Sequence, residues 1–168
     1  MKLLANIARV IRLYAIALWV GGLVFFVMVA AVAFGNLPST HEAGIVVRGS
    51  LLAIHNLGLY AGLLYCFCTV VLLALGDRAR ARGVEILLVT AMLALTAYSQ
   101  FHIIPTMESD RQQLAAQFNA EVSATPKDAP AHADFDRLHN LSTKVEGTVL
   151  LCGLIVLALN TLKSSERP

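Results

Sequence analysis

The chain has 168 residues, of which 57% are hydrophobic and only 14% charged, with a net charge of +2. Soluble domains carry about 25% charged residues, and no cluster of Lys/Arg with interleaved aromatics appears here, which argues against a nucleic-acid surface. Four apolar stretches take up more than half the length, so no separate soluble domain fits beside them.

The stretches run at about 13–34, 51–75, 84–104 and 145–162. A helix rises about 1.5 Å per residue, so about 20 apolar residues cross a hydrocarbon core of about 30 Å. The expected fold is all-α: an integral membrane four-helix bundle, a single domain over 1–168, with a helical outer extension between the third and fourth spans. The first span follows Lys2, Arg9 and Arg12. Ala31-Val32-Ala33 resembles a cleavage site, but the apolar run is longer than a signal peptide's, and the span is read as retained. Trp19 lies too deep for an interfacial belt and is read as a packing residue. Asn36, Leu37, Pro38 and Ser39 end the helix. A short connection over 35–49 follows, in which Ser39 or Thr40 caps a short helix with Glu42 in its first turn.

The second span carries Gly58 and Gly62, a GxxxG pair; Ala17 and Gly21 form a small-xxx-small pair on the first. Such pairs let helices approach closely in lipid, and packing within the bundle is the favoured reading over dimerisation. Cys66 and Cys68 point to different faces of one helix, and together with Cys152 are read as small buried hydrophobes. The turn at 77–83, with Arg78, Arg80 and Arg82, joins the second and third spans.

Pro105 interrupts the third helix and predicts a kink. Beyond it, 106–121 reads as a helical arm with Leu114 and Phe118 as its apolar stripe. The segment 122–133, with Pro126 and Pro130, reads as loop, and Asp134 or Asp136 opens the fourth helix. His41 and His132 read as solvated loop residues. The outer connection as a whole spans about 105–134.

Orientation follows the flanking cations. Lys2, Arg9, Arg12, Arg78, Arg80, Arg82, Lys163 and Arg167 fall on one side; Arg48, Arg111, Lys127, Arg137 and Lys144 fall on the other. The expected location is a bacterial inner (plasma) membrane, multi-pass, with both termini cytoplasmic.

Polar residues are costly in hydrocarbon, so each is a candidate. Antiparallel threading places His55, His102 and His139 in the outer part of the bundle. Glu146 shares a helix face with His139 and is expected to pair with it, or with Arg137 or Lys144. Imidazoles with a carboxylate suit copper or zinc, and two opposed imidazoles suit haem b. His55, His102, His139 and Glu146 are therefore the candidate metal set. The favoured reading is an interfacial polar layer without cofactor, in which His139 and Glu146 organise the outer end of the fourth helix. No catalytic constellation can be placed. A non-enzymatic accessory or interaction module in the lipid bilayer is expected, acting with a second copy or another membrane protein. A metal- or haem-binding protein and a small oligomeric transporter are the alternatives.

Several short elements in order carry a resemblance. They are Leu18-Trp19-Val20-Gly21-Gly22; Phe34-Gly35-Asn36-Leu37-Pro38 with Ala43-Gly44; Ile104-Pro105 with Arg111; and Phe135-Asp136-Arg137-Leu138-His139-Asn140-Leu141-Ser142. Over nearly the whole chain this resembles the transmembrane protein 205-like family, which includes bacterial four-helix membrane domains of unknown function. The resemblance implies a four-helix membrane domain and marks Trp19, Gly21, Gly22, Pro38, Gly44, Pro105, Arg111, His139 and Ser142 as family-pattern residues without assigned roles. The Trp-x-Gly-Gly element is also similar to the first helix of copper-resistance membrane domains. There a His precedes the Trp by about two turns; here Arg12 stands in its place.

Overall fold

The computed structural model describes residues 1–77 and 81–165. Among them, four helical runs are long and apolar enough to cross a membrane, and there is no strand. Helix α1 is Lys2–Asn36, α2 is Thr40–Ala74, and α3 is Ala81–Tyr98. A π-helical turn at Ser99–Ile103 leads into α4, Ile104–Phe118; α5 is Pro130–Ser165. α1 packs along α2 and α5, and α3 packs along the same two, so the helices close into a ring. α4 continues past this ring and leans on α5. Large apolar side chains such as Tyr14, Phe25, Tyr60, Phe67 and Leu87 face outward, as lipid contact requires.

α1 and α2 each hold 35 residues, or about 52 Å of helix, well beyond a hydrocarbon core of about 30 Å. The expected connection over 35–49 shrinks to residues 37–39. Leu37 turns extended, and the Ser39 hydroxyl accepts the Glu42 N–H at 3.1 Å. Ser39 is thus a cap, but of the whole of α2 and not of a short helix. Gly44 and Gly49 do not break the helix. A glycine in a helix interior costs only about 1 kcal/mol, which the packing of a long helix absorbs.

α2 closes on Gly76, whose φ of 86° is left-handed. The Gly76 N–H donates to Leu73 O, and the Asp77 N–H to Leu72 O, both at 3.0 Å, a Schellman ending. The next three residues of the 77–83 turn, with Arg78 and Arg80, lie outside the described residues, as does Arg167.

Pro105 does not end the third span. Helix runs on to Phe118, and the interruption takes the form of the π-helical turn just before the proline, where Ile104 N–H donates to Ser99 O. The arm stops at Phe118 instead of residue 121, because Asn119 takes a left-handed φ of 49°. Leu114 is fully buried against Ala129 and Ala131, with Phe118 and Val122 beside it. α5 starts at Pro130, ahead of Asp134 and Asp136, since proline in a helix's first turn lacks only an N–H that would go unused. His132 therefore lies on a helix and is buried. Its Nδ1 is 2.8 Å from Thr125 Oγ1, and that hydroxyl donates to Val122 O. His41 is exposed but lies on α2.

The centre of the bundle is built around Trp19, fully buried with Ile16, Tyr65, Met92 and Val149. The indole lies where Cβ atoms of Gly58 and Gly62 would be; a Cβ on Gly62 would come within 2.6 Å of Trp19 Cζ3. The GxxxG pair thus packs within the chain. Ala17 and Gly21 do not: both are exposed, and nothing lies within 4 Å of a Cβ placed on Gly21.

Candidate functional site: two polar layers inside the bundle

The apolar core around Trp19 separates two layers of hydrogen-bonded polar side chains. One lies toward the arm and the 37–39 turn, the other toward the chain termini. Along α2 they are separated by the ten residues from His55 to Tyr65, about 15 Å. Along α5 they are separated by the fourteen from Glu146 to Asn160, about 21 Å. Both therefore fit within a hydrocarbon core of about 30 Å.

In the arm-side layer, His55 of α2 is fully buried. Its Nε2 lies 2.8 Å from Glu146 Oε1 on α5, and its Nδ1 lies 3.1 Å from Gln100 Oε1. Ser99 Oγ donates to the same Glu146 oxygen at 3.2 Å, and Gln100 Nε2 reaches Asn56 Oδ1 at 3.5 Å. Ser99 and Gln100 open the π-helical turn. Adjacent residues of an α-helix point about 100° apart; here both engage the same pair. Glu146 Oε2 is buried without a partner among the described residues.

Of the four candidate ligands, the structure brings together His55 and Glu146 only. His102 is exposed, its ring 5.2 Å from that of Tyr98. His139 is exposed and stacks on Phe135 at 6.4 Å. The expected pairing of Glu146 with His139, Arg137 or Lys144 is corrected accordingly: a cross-helix partner on α2 takes its place. Arg137 instead binds Asp134 at 2.6 Å. Among the described residues no three His, Cys, Asp or Glu side chains gather as metal ligands. Histidine and carboxylate are nonetheless suitable donor types for zinc or copper, so a metal would take His55 and Glu146 first.

Sequence reasoning missed the terminus-side layer. Arg12 had the look of a flanking cation, and Glu85 stands at the start of the third apolar stretch, yet both are buried. Arg12 Nη1 donates to Glu85 Oε2 at 2.9 Å and Nη2 to Asn160 Oδ1 at 2.6 Å. The Tyr65 hydroxyl donates to Glu85 at 3.3 Å and accepts from Asn160 Nδ2 at 3.1 Å. The guanidinium also sits 4.9 Å from the Tyr65 ring centroid, a cation–π distance. One residue from each of the four spanning helices thus closes a ring of hydrogen bonds. A usable signal existed for three of the four: Arg12, Glu85 and Asn160 each stand near the same end of an apolar stretch, and antiparallel threading puts those ends at one depth, whereas Tyr65 lies ten residues inside the second stretch.

Closer to the termini, Asp77 accepts Arg9 Nη2 at 2.9 Å and also pairs with Arg82. Burial alone would push its carboxyl up; the Arg9 hydrogen bonds and the Arg82 charge outweigh that and hold it below the ordinary value of 3.8. On the arm side, Glu108 of α4 binds Arg48 of α2 and Arg111, each at 2.6 Å, so Arg111 has a place in an ion-pair cluster. Ser142 is buried on α5, and Pro38 is exposed in the turn.

Residues 14–115 match the family described as Domain of unknown function (DUF4149). The match takes in Trp19, Gly21, Gly22, Pro38, Gly44, Pro105 and Arg111 and stops short of His139 and Ser142 on α5. Its description does not carry the transmembrane protein 205-like name. No curated protein and no solved structure matches the chain.

Proposed function

The chain belongs to this family of unknown function, DUF4149, and from that premise we propose a non-enzymatic integral membrane protein that acts as an accessory or interaction module. The observation that carries this reading is the pairing of polar side chains inside the bundle: Arg12, Tyr65, Glu85 and Asn160 engage one another across all four spanning helices. Such a core ties the helices together, while the outward faces are left for lipid and neighbouring membrane proteins. Photo-crosslinkers placed at exposed Ala17 and Gly21 in native membranes test it. Adducts of one defined protein mass support the reading, and adducts to lipid alone overturn it.

The same proposal places the protein in a bacterial inner membrane with both termini cytoplasmic, supported by the Lys/Arg asymmetry of the flanks. Reporter fusions at the N-terminus should be cytoplasmic and a fusion near Pro126 external. Kinship with the transmembrane protein 205-like family is part of the proposal and rests on the short motifs quoted above.

A second reading, binding of copper, zinc or haem b, is favoured only by the His55–Glu146 contact. Protein purified without chelators should show no Soret band and no stoichiometric metal; a metal near one per chain would restore this reading. Transport by an oligomer draws on the same titratable pair.

A further inference from the structure

Five charged side chains gather on the terminus side, where α1 and α3 begin and α2 ends. Arg9 and Arg12 stand i,i+3 on one face of α1, and Arg82 and Glu85 stand i,i+3 at the start of α3. Asp77, just past α2, joins the two helices. Arg9 Nε and Nη2 donate to Asp77 Oδ2 at 3.2 and 2.9 Å, and Arg82 Nη2 pairs with that same oxygen. Arg12 holds Glu85 in the buried ring already described. Three guanidinium groups against two carboxylates leave these five residues with one positive charge in excess.

Unused donors accompany the excess charge. Only 4% of the Arg82 side chain is exposed, yet its Nε and Nη1 are buried without a partner among the described residues. Arg12 Nε is likewise buried and unpartnered. Such N–H groups have lost water without gaining an acceptor, which costs free energy. An anion supplies acceptors and charge together. Arg9 and Arg82 also share one oxygen of Asp77, so a second anion between them serves both. Arg82 lies in the first turn of α3, an 18-residue helix whose start carries the positive end of its dipole. The depth points to the kind of anion. Asp77 is two residues past the second apolar stretch and Arg82 two residues before the third, at the edge of the hydrocarbon where headgroups begin. Arginine is the side chain best suited to phosphate oxygens.

We propose that Arg9 and Arg82 form a binding site for a phosphate group, carried by an anionic lipid headgroup or free in solution. Phosphate oxygens accept from the Arg82 donors that are now unused and from Arg9. Arg12 stays with Glu85 and Asn160 and sets the inner limit of the site. The Arg9 side chain is 32% exposed, whereas the free Arg82 nitrogens are closed to solvent. The phosphate therefore enters by turning Arg9 aside, and Arg9 then closes over it. The single excess charge equals that of one phosphodiester. Ile7 and Val10 on α1 and Val84 on α3 face outward on the neighbouring turns, so acyl chains have apolar surface beside the cluster. This goes beyond the proposed function, which concerns the outward face around Ala17 and Gly21.

The experiment is native mass spectrometry of the full chain released from nanodiscs of phosphatidylglycerol and phosphatidylcholine in equal parts. Thermal unfolding in neutral detergent is the second readout. The chain should retain one phosphatidylglycerol in preference to phosphatidylcholine, and added phosphatidylglycerol should raise its unfolding temperature. Arg82→Gln should weaken that retention about fivefold or more, the scale of one arginine near a membrane surface. Arg9→Gln should do the same, and it decides the matter if the buried variant does not fold. Lys2→Gln removes an equal charge from the exposed start of α1 and should leave retention unchanged. Inorganic phosphate, at an ionic strength matched with chloride, separates the two sources. Stabilisation by phosphate that Arg9→Gln abolishes, without a lipid preference, keeps the site and assigns it to the free ion. Equal retention of both lipids with no response to phosphate overturns the proposal. So does a loss in Lys2→Gln as large as in Arg9→Gln, which would mark diffuse attraction in place of a site.

Discussion

Gly58 and Gly62 act through the side chain they lack. Each leaves the room that the Trp19 indole fills, so Gly58→Ala should overpack the core and destabilise by about 1–3 kcal/mol. Gly21→Ala is the control: open space surrounds that position, and thermal unfolding in detergent should be unchanged or slightly improved. Arg12 is the sharper case. Removing it by Arg12→Ala takes a buried cation from buried Glu85 and should cost about 3–5 kcal/mol, whereas Arg12→Met with Glu85→Met should recover much of the loss. If the double variant unfolds as readily as the single, the pair is not an isolated unit. His139→Ala, on an exposed face, should stay within about 0.5 kcal/mol of the parent.

At the scale of elements, the π-helical turn and the Asp77 junction invite tests. Pro105 has no N–H to give to the preceding turn, and the extra residue of the π-helix accommodates it. Pro105→Ala should allow the α-helical ladder to run through 99–104, raising amide protection there and loosening Ser99 from Glu146 or Gln100 from His55. Unchanged hydrogen exchange would separate the proline from the turn. Asp77 links the end of α2 to Arg9 of α1 and to Arg82 of α3. Its carboxyl titrates below 3.8 when folded, so its stabilisation is present above that pH and is lost as pH falls through the folded value. Unfolding followed from neutral to acid pH should show this loss, and Asp77→Asn should flatten the curve in that range. These elements also mark what was readable. The four spans, the packing role of Trp19, the Ser39 cap and the Leu114 stripe of the arm follow from hydropathy, depth and capping chemistry, all local signals. The reach of α2 through Gly44 and Gly49 was hidden because tertiary packing overrides a small local penalty. The partners of Glu146 and Arg12 were hidden because facing across helices depends on rotation about each axis. Same-helix spacing favoured His139 for Glu146, and the neighbouring helix supplied His55.

Across the whole molecule, the two polar layers lie on opposite sides of a wall made by Trp19, Met92, Val149 and their neighbours. Gly153 thins that wall on the α5 side: a Cβ there would come within 2.5 Å of Val20 Cγ2, so the helices meet almost backbone to side chain. The wall has an electrical meaning. A charge crossing a membrane gains or loses about 2.3 kcal/mol per 100 mV of potential. Within a hydrocarbon core of about 30 Å, the packed slab of about 15 Å between His55 and Tyr65 takes about half of that drop. Trp19 and its glycines therefore make the bundle an insulator with a polar terminal on each face.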